Sequence, residues 1–118
     1  MILIAVRDPG LADSLRFSLE LEGYVTRPCE APLERQGDLG LKTCLLLDQE
    51  VFAALRRGSG AAARFALPTV LMVNQRTQRL IDHANSAGVT TVVEKPLLGR
   101  ILFEAIQSAL NGSASIPG

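Results

Sequence analysis

The sequence predicts an α/β domain, a doubly wound five-stranded parallel sheet with strand order 2-1-3-4-5. Three observations carry this. Runs such as Thr43-Cys44-Leu45-Leu46-Leu47 and Thr69-Val70-Leu71-Met72-Val73 are almost wholly apolar at consecutive positions, as suits a strand covered on both faces of a parallel sheet. These runs alternate with segments of helical periodicity, and parallel strands need crossovers between them. Charged residues then close two of the runs, Asp48 after Leu47 and Glu94-Lys95 after Val93. In open parallel sheets the ligand crevice lies outside the carboxyl ends of the strands, so a carboxylate and an ammonium at two such ends face one crevice.

The elements follow in order. Residues 2–6 form the first strand. Asp8 suits an N-cap and Pro9 the first helical position; Leu11, Ala12, Leu15, Ser18 and Leu19 then share one helix face, and Gly23 stops the helix. Residues 24–27 make a short second strand halted by Pro28. Alternation asks for a helix over 31–41, which Pro32, Gly37 and Gly40 shorten or fray. The third strand, 42–47, runs into Asp48. A helix over 50–57 turns Val51, Ala54 and Leu55 inward until Gly58-Ser59-Gly60 breaks it; 61–66 resume it before Pro68. Residues 69–73 are the fourth strand. A polar helix over 75–87, with Leu80, Ile81 and Ala84 as its stripe, ends at Gly88, and 89–93 are the fifth strand. Leu98, Ile101, Leu102, Ala105, Ile106 and Ala109 give the clearest amphipathic helix, over 98–110, with Phe103 turned outward. Residues 1–110 thus form one domain and 111–118 a tail or the start of a linker.

Composition excludes several function classes. Acidic and basic residues number twelve each, so no net field draws the chain to nucleic acid or to an anionic membrane. Four Phe, one Tyr and no Trp leave little for base stacking. Cys29 and Cys44 are not spaced as a metal knuckle, and Cys44 sits inside a buried strand, where a thiol acts as a small hydrophobe. No run reaches membrane-spanning length, and residues 1–6 are too short for a signal-peptide apolar region and carry no basic leader, so no targeting segment is expected. The expectation is a reduced, cytoplasmic protein. His83 has no Cys, Asp or Glu at ligand spacing on its face and is expected exposed; Arg56-Arg57, Arg76 and Arg79 read as solvated faces.

In order and at near-normal spacing, several segments resemble the receiver domain of two-component response regulators. ILIAVRDPGLADSLRFSLELEGYVT is similar to the family's first strand, helix and second strand; LLLDQE to its third strand; ALPTVLMVN to its fourth; and SAGVTTVVEKPL to its Ala-Gly turn, fifth strand and Lys-Pro. The resemblance spans nearly the whole chain to about Leu110. It implies the flavodoxin-like receiver fold, the phosphoacceptor role at Asp48 and the family's lysine role at Lys95.

The departures are equally specific. The two acidic residues that hold Mg²⁺ in a working receiver correspond to Val6 and Arg7. The hydroxyl residue ending the fourth strand corresponds to Val73, and the aromatic switch residue to Val92. Gln49-Glu50-Val51-Phe52 replaces the expected Met-Pro. Phosphoryl transfer depends on cations placed against the transferring oxygens, and Asp48 beside a guanidinium at Arg7 is a poor site for a dication. No cofactor is expected, Mg²⁺ included, and no metal site. Plain alternatives stand beside these roles: a helix N-cap for Asp48, a solvated strand-end lysine for Lys95, a surface arginine for Arg7, simple core for Val73 and Val92.

The resulting expectation is a pseudo-receiver, a non-enzymatic regulatory module of a phosphorelay signalling protein that works by protein contact. Its partner would be a second copy, with a sensor kinase or a DNA-binding or enzymatic effector domain as further candidates. The contact face would be the helix over 75–87, the fifth strand and the C-terminal helix, with Phe103 at its centre. Arg7, Asp48 and Lys95 would form a metal-free ion cluster. The competing readings are an atypical receiver still phosphorylated on Asp48 by a histidine kinase, and a small cofactor binder on the same fold.

Overall fold

A computed structural model describes residues 1–29, 43–59, 65–97 and 100–111. Five strands, β1 (Ile2–Ala5), β2 (Thr26–Pro28), β3 (Cys44–Asp48), β4 (Thr69–Val73) and β5 (Thr91–Glu94), form one parallel sheet in the order β2-β1-β3-β4-β5. Among the described residues the helices are α1 (Pro9–Leu21), α2 (Gln49–Ser59), α3 (Gln78–Ser86) and α4 (Ile101–Leu110). The flavodoxin-like α/β class and the strand order expected from the sequence are both found.

Side-chain alternation along the strands divides the core into two layers. Leu3, Ala5, Leu45, Leu47, Leu71, Val73 and Val92 pack with α2 and α3, while Ile2, Ile4, Cys44, Leu46, Val70, Met72 and Val93 pack with α1 and α4. Every residue of β3 and β4 is buried, which is why their sequences carry apolar residues at successive positions rather than alternate ones. Burial pushes the Cys44 thiol up to about 12, so it stays protonated and packs as an apolar group. Thr69, the polar residue within β4, is satisfied: its Oγ1 donates to Leu67 O at 2.8 Å and its N–H donates to Thr90 Oγ1 at 3.0 Å.

The ends of α1 follow their local chemistry. Asp8 caps the helix by accepting the Gly10 N–H at 3.1 Å, with Pro9 in the first turn. Gly23 takes φ +93° just beyond its end, a left-handed conformation that costs a side-chain-bearing residue steric strain. Gln107 of α4 donates to the Tyr24 hydroxyl at 2.6 Å, tying α4 to the segment between α1 and β2.

Several sequence expectations need correction. Pro28 belongs to β2 rather than ending it, which an edge strand allows because, among the described residues, β2 pairs with β1 alone. Ser18 is exposed, while Leu15 and Leu19 carry the buried face of α1. Gly58 lies inside α2. On that helix Val51, Ala54 and Leu55 are half-buried and Phe52 is the anchor, 2% exposed, its ring 6.3 Å from that of Phe65. α3 begins at Gln78 behind an N-cap at Thr77, and His83 is half-buried rather than exposed. On α4 the buried positions are Leu102, Ala105, Ile106 and Ala109. Ile101 and Phe103 fall about 100° to either side of Leu102 on the helix; Ile101 is 47% exposed, whereas Phe103 is half-buried against the α1 layer. The expected helices over 31–41 and 61–66, the first turn of the C-terminal helix at 98–99, and the tail beyond Asn111 lie outside the described residues, apart from Phe65 and Ala66, which are not helical.

Because Phe52 is sunk between α2 and the sheet, Phe52→Ala is expected to destabilise the fold by about 3–5 kcal/mol. Ile101→Ala, on an exposed flank, should cost about 1 kcal/mol or less. Urea unfolding midpoints of the two variants check the order; equal losses would contradict this account of α2 and α4.

Candidate functional site

The carboxyl ends of β3, β4 and β5 bring two charged side chains together. Asp48 is the last residue of β3 and is 5% exposed. Lys95 follows β5, and its N–H donates to Val73 O at the end of β4 at 2.8 Å, so its backbone is fixed one strand away from Asp48's neighbour. Two inter-strand steps of about 4.8 Å separate β5 from β3, and the lysine stem spans β4 to close that gap. Lys95 Nζ lies 2.6 Å from Asp48 Oδ1. The approach is off the angle of a hydrogen bond, so Oδ1 is ion-paired but receives no directional bond. The Lys95–Pro96 peptide is cis.

Strand register explains which neighbours the pair has. Ala5 pairs with Leu47, so the next step sets Val6 beside Asp48, on the face that continues Ile4, Leu46 and Met72. Val6 is half-buried and packs against the α1/α4 layer. Arg7, one residue on, points to the other face and is exposed, with Cys29, Val51 and Leu55 lining the same depression. The expected three-membered ion cluster therefore does not form: Arg7 has no ion pair among the described residues. Alternation is the physical reason, since adjacent strand-end residues cannot both face Asp48. Val73 is fully buried and Val92 nearly so, at 0% and 5% exposure, in the α2/α3 layer.

The residues present do not fit Mg²⁺. A dication of this kind needs carboxylates and waters in an octahedron, and the strand-end positions beside Asp48 hold Val6 and Arg7 rather than further carboxylates. Asp8, the carboxylate next to the acid-pair positions Val6 and Arg7, is exposed and occupied as the α1 cap, and Glu50 is exposed on α2. Among the described residues no three His, Cys, Asp or Glu side chains are grouped to hold a metal ion. No helix among them is long and apolar enough to cross a membrane.

Comparison with known proteins adds a fold likeness. No protein-family model matches the chain, and no curated protein matches it. Among solved structures, the crystal structure of an adenylate cyclase from Rhodopirellula baltica is similar with a TM-score of 0.64 at 18% identity, covering 94% of this chain and 87% of that one. At that identity the likeness is one of fold, and a shared fold carries no activity.

The sequence placed Asp48 and Lys95 at facing strand ends, and the structure brings them into contact. What sequence reasoning missed was the face of Arg7. The signal was present, because counting alternate positions from Ile4 already assigns Val6, not Arg7, to Asp48's side.

The pair makes an ordered stability prediction. Lys95→Met strands a carboxylate that is almost wholly buried, while Asp48→Asn strands an ammonium whose side chain is 26% exposed and can reach water. Lys95→Met is thus expected to cost about 3 kcal/mol and Asp48→Asn about half as much, with the double variant recovering much of the loss. Urea denaturation of the cycle checks this; strictly additive losses would show that the contact carries no coupling.

Proposed function

We propose that this chain is a pseudo-receiver, a regulatory protein-interaction module of a phosphorelay signalling protein that acts without metal-dependent phosphorylation and is not an enzyme. The observation that carries the reading is the acid-pair position: the half-buried, aliphatic Val6 stands at the strand end beside Asp48, and Arg7 faces away. A phosphoacceptor carboxylate has to attack phosphorus while cations hold the other oxygens. Here Lys95 is the one strand-end cation in contact with Asp48, and the neighbouring acid-pair position is an aliphatic side chain that can hold no further cation against the transferring oxygens. Apolar Val73 and Val92, buried in the opposite layer, supply neither a hydroxyl to grip a phosphoryl group nor an aromatic ring to swing. Such a module needs no cofactor, and a reduced, cytoplasmic setting suits its free cysteines.

Incubation with acetyl phosphate, with and without Mg²⁺, followed by intact-mass measurement tests this directly. No adduct is expected in either condition. A phosphate adduct on Asp48 would overturn the reading and restore the alternative, an atypical receiver phosphorylated by a histidine kinase.

The partner surface we propose is α3, the β5 edge and α4, with a second copy of the chain as the partner. The exposed apolar centre of that face is Ile101 rather than Phe103. Phe103 lines the groove between α4 and α1 with Leu11 and Leu15, and α1 lies towards the β1–β2 side of the sheet; Ile101, on the opposite flank of α4, lies towards β5. Arg100 and Glu104 are exposed around it as a polar rim. Sedimentation should show self-association that is unchanged by acetyl phosphate and lost in Ile101→Asp. A monomer at all concentrations would refute the partner assignment while leaving the phosphorylation result untouched.

A further inference from the structure

A second polar feature lies beside the Asp48–Lys95 pair, over the ends of β3 and β4. Gln49 and Asn74, the residues that follow Asp48 and Val73, form one wall, and Gln75, Thr77, Arg79 and His83 form the other over Leu80; the depression they enclose measures about 470 Å³. Every lining side chain except Leu80 is polar, and none is a carboxylate. Arg79 and His83 stand four residues apart on α3, so they lie one above the other about 6 Å apart along the axis. Neither side chain has an ion pair or hydrogen bond among the described residues.

The remaining groups are already organised. Gln49 Oε1 accepts the Asn74 N–H at 2.8 Å, which locks the amide wall and leaves the Gln49 NH₂ group as a donor. Thr77 Oγ1 accepts the Leu80 N–H at 3.2 Å, so the first turn of α3 is capped and is not itself the source of the site. Asp82 is the carboxylate of α3 and does not line the depression; it accepts from Gln78 Nε2 at 2.9 Å. What remains is a guanidinium, an imidazole and side-chain amides converging on one open space with no anion to answer them.

We infer that this depression binds a small phosphate monoester. A guanidinium fork matches carboxylate and phosphate alike, but a phosphoryl group offers three acceptor oxygens where a carboxylate offers two, which suits the additional donors here. The space is many times the roughly 30 Å³ share of one water molecule, so it admits an organic group beside the phosphate, with Leu80 as the apolar contact. The inference stands apart from the phosphorylation reading, since it uses neither Asp48 nor Lys95.

The test is an amide and arginine-side-chain NMR titration of the full chain with ribose 5-phosphate, inorganic phosphate and ribose, at ionic strength matched with chloride. Saturable shifts at Asn74, Gln75, Thr77 and Arg79 are expected with ribose 5-phosphate, weaker binding with inorganic phosphate, and none with ribose. Arg79→Gln should weaken binding at least about tenfold, the scale of one charge-assisted hydrogen bond. His83→Gln should weaken it measurably, while Arg16→Gln, on exposed α1, binds as the parent does. All substituted positions of the depression lie on its surface, so far-ultraviolet circular dichroism should show an unchanged fold. Absence of saturable shifts, equal affinity for inorganic phosphate and the ester, or undiminished binding by Arg79→Gln would each overturn the assignment.

Discussion

A strand covered on both faces can carry a charge only where it leaves the sheet, and that constraint organises this molecule. β3 and β4 are buried along their whole lengths, so between them they hold no charged side chain until Asp48 at the very end of β3. Even there the carboxylate is 5% exposed, and an uncompensated charge so placed would be expelled or neutralised. Lys95 supplies the compensation from two strands away. Its backbone is anchored to Val73 O, so the lysine is held by the same β4 end that it crosses. The ion pair therefore ties β3, β4 and β5 together at the edge where the sheet would otherwise end in an unmatched buried anion.

The same constraint decides which neighbours can take part. Each strand end offers two successive residues, and the pleat sends them to opposite faces. At the end of β1 the inward position beside Asp48 went to Val6, which packs, and the outward position to Arg7, which is exposed. A hydrophobic side chain there favours a dry, closed pair over an open polar crevice. Val73 and Val92 do the equivalent on the α2/α3 side, where they join one continuous apolar layer. Positions that could have held mobile polar groups are packed instead, as part of a dense interior.

How far the fold could be read from residues alone follows from how local each signal is. The five strands and their order were legible because β1, β3 and β4 are nearly uninterrupted apolar runs and because crossover handedness leaves few topologies. The Asp8 cap was legible because it is settled within three residues. Phe52 was not, because a helix with Val51, Ala53, Ala54 and Leu55 around it offers several plausible inward faces, and only the position of Phe65 on another segment selects among them. Ile101 and Phe103 were exchanged for a related reason. The buried stripe of α4 is centred on Leu102, Ala105, Ile106 and Ala109, and its two flanks differ only in what lies beside them: α1 on one side and the β5 edge on the other.

Site legibility divides along the same line. Asp48 and Lys95 are found from sequence because strand ends are local and because a carboxyl-end crevice belongs to the architecture. Whether a third charge joins them depends on face, which needs the register between β1 and β3. The polar depression at α3 was read from sequence as solvated surface, and residue by residue that is fair, since Asn74, Gln75 and Arg79 are exposed. Its character comes from juxtaposition: Gln49 from β3's end and Asn74 from β4's end are joined by a backbone-to-amide bond, and α3 then lays Arg79 and His83 across them. A pair of strand ends thus yields two different local chemistries a few residues apart, a neutralised ion pair on the α1/α4 side and an unanswered set of donors under α3. The first arises because a buried anion demands a cation; the second persists because the exposed guanidinium of Arg79 carries no comparable penalty and needs no protein partner.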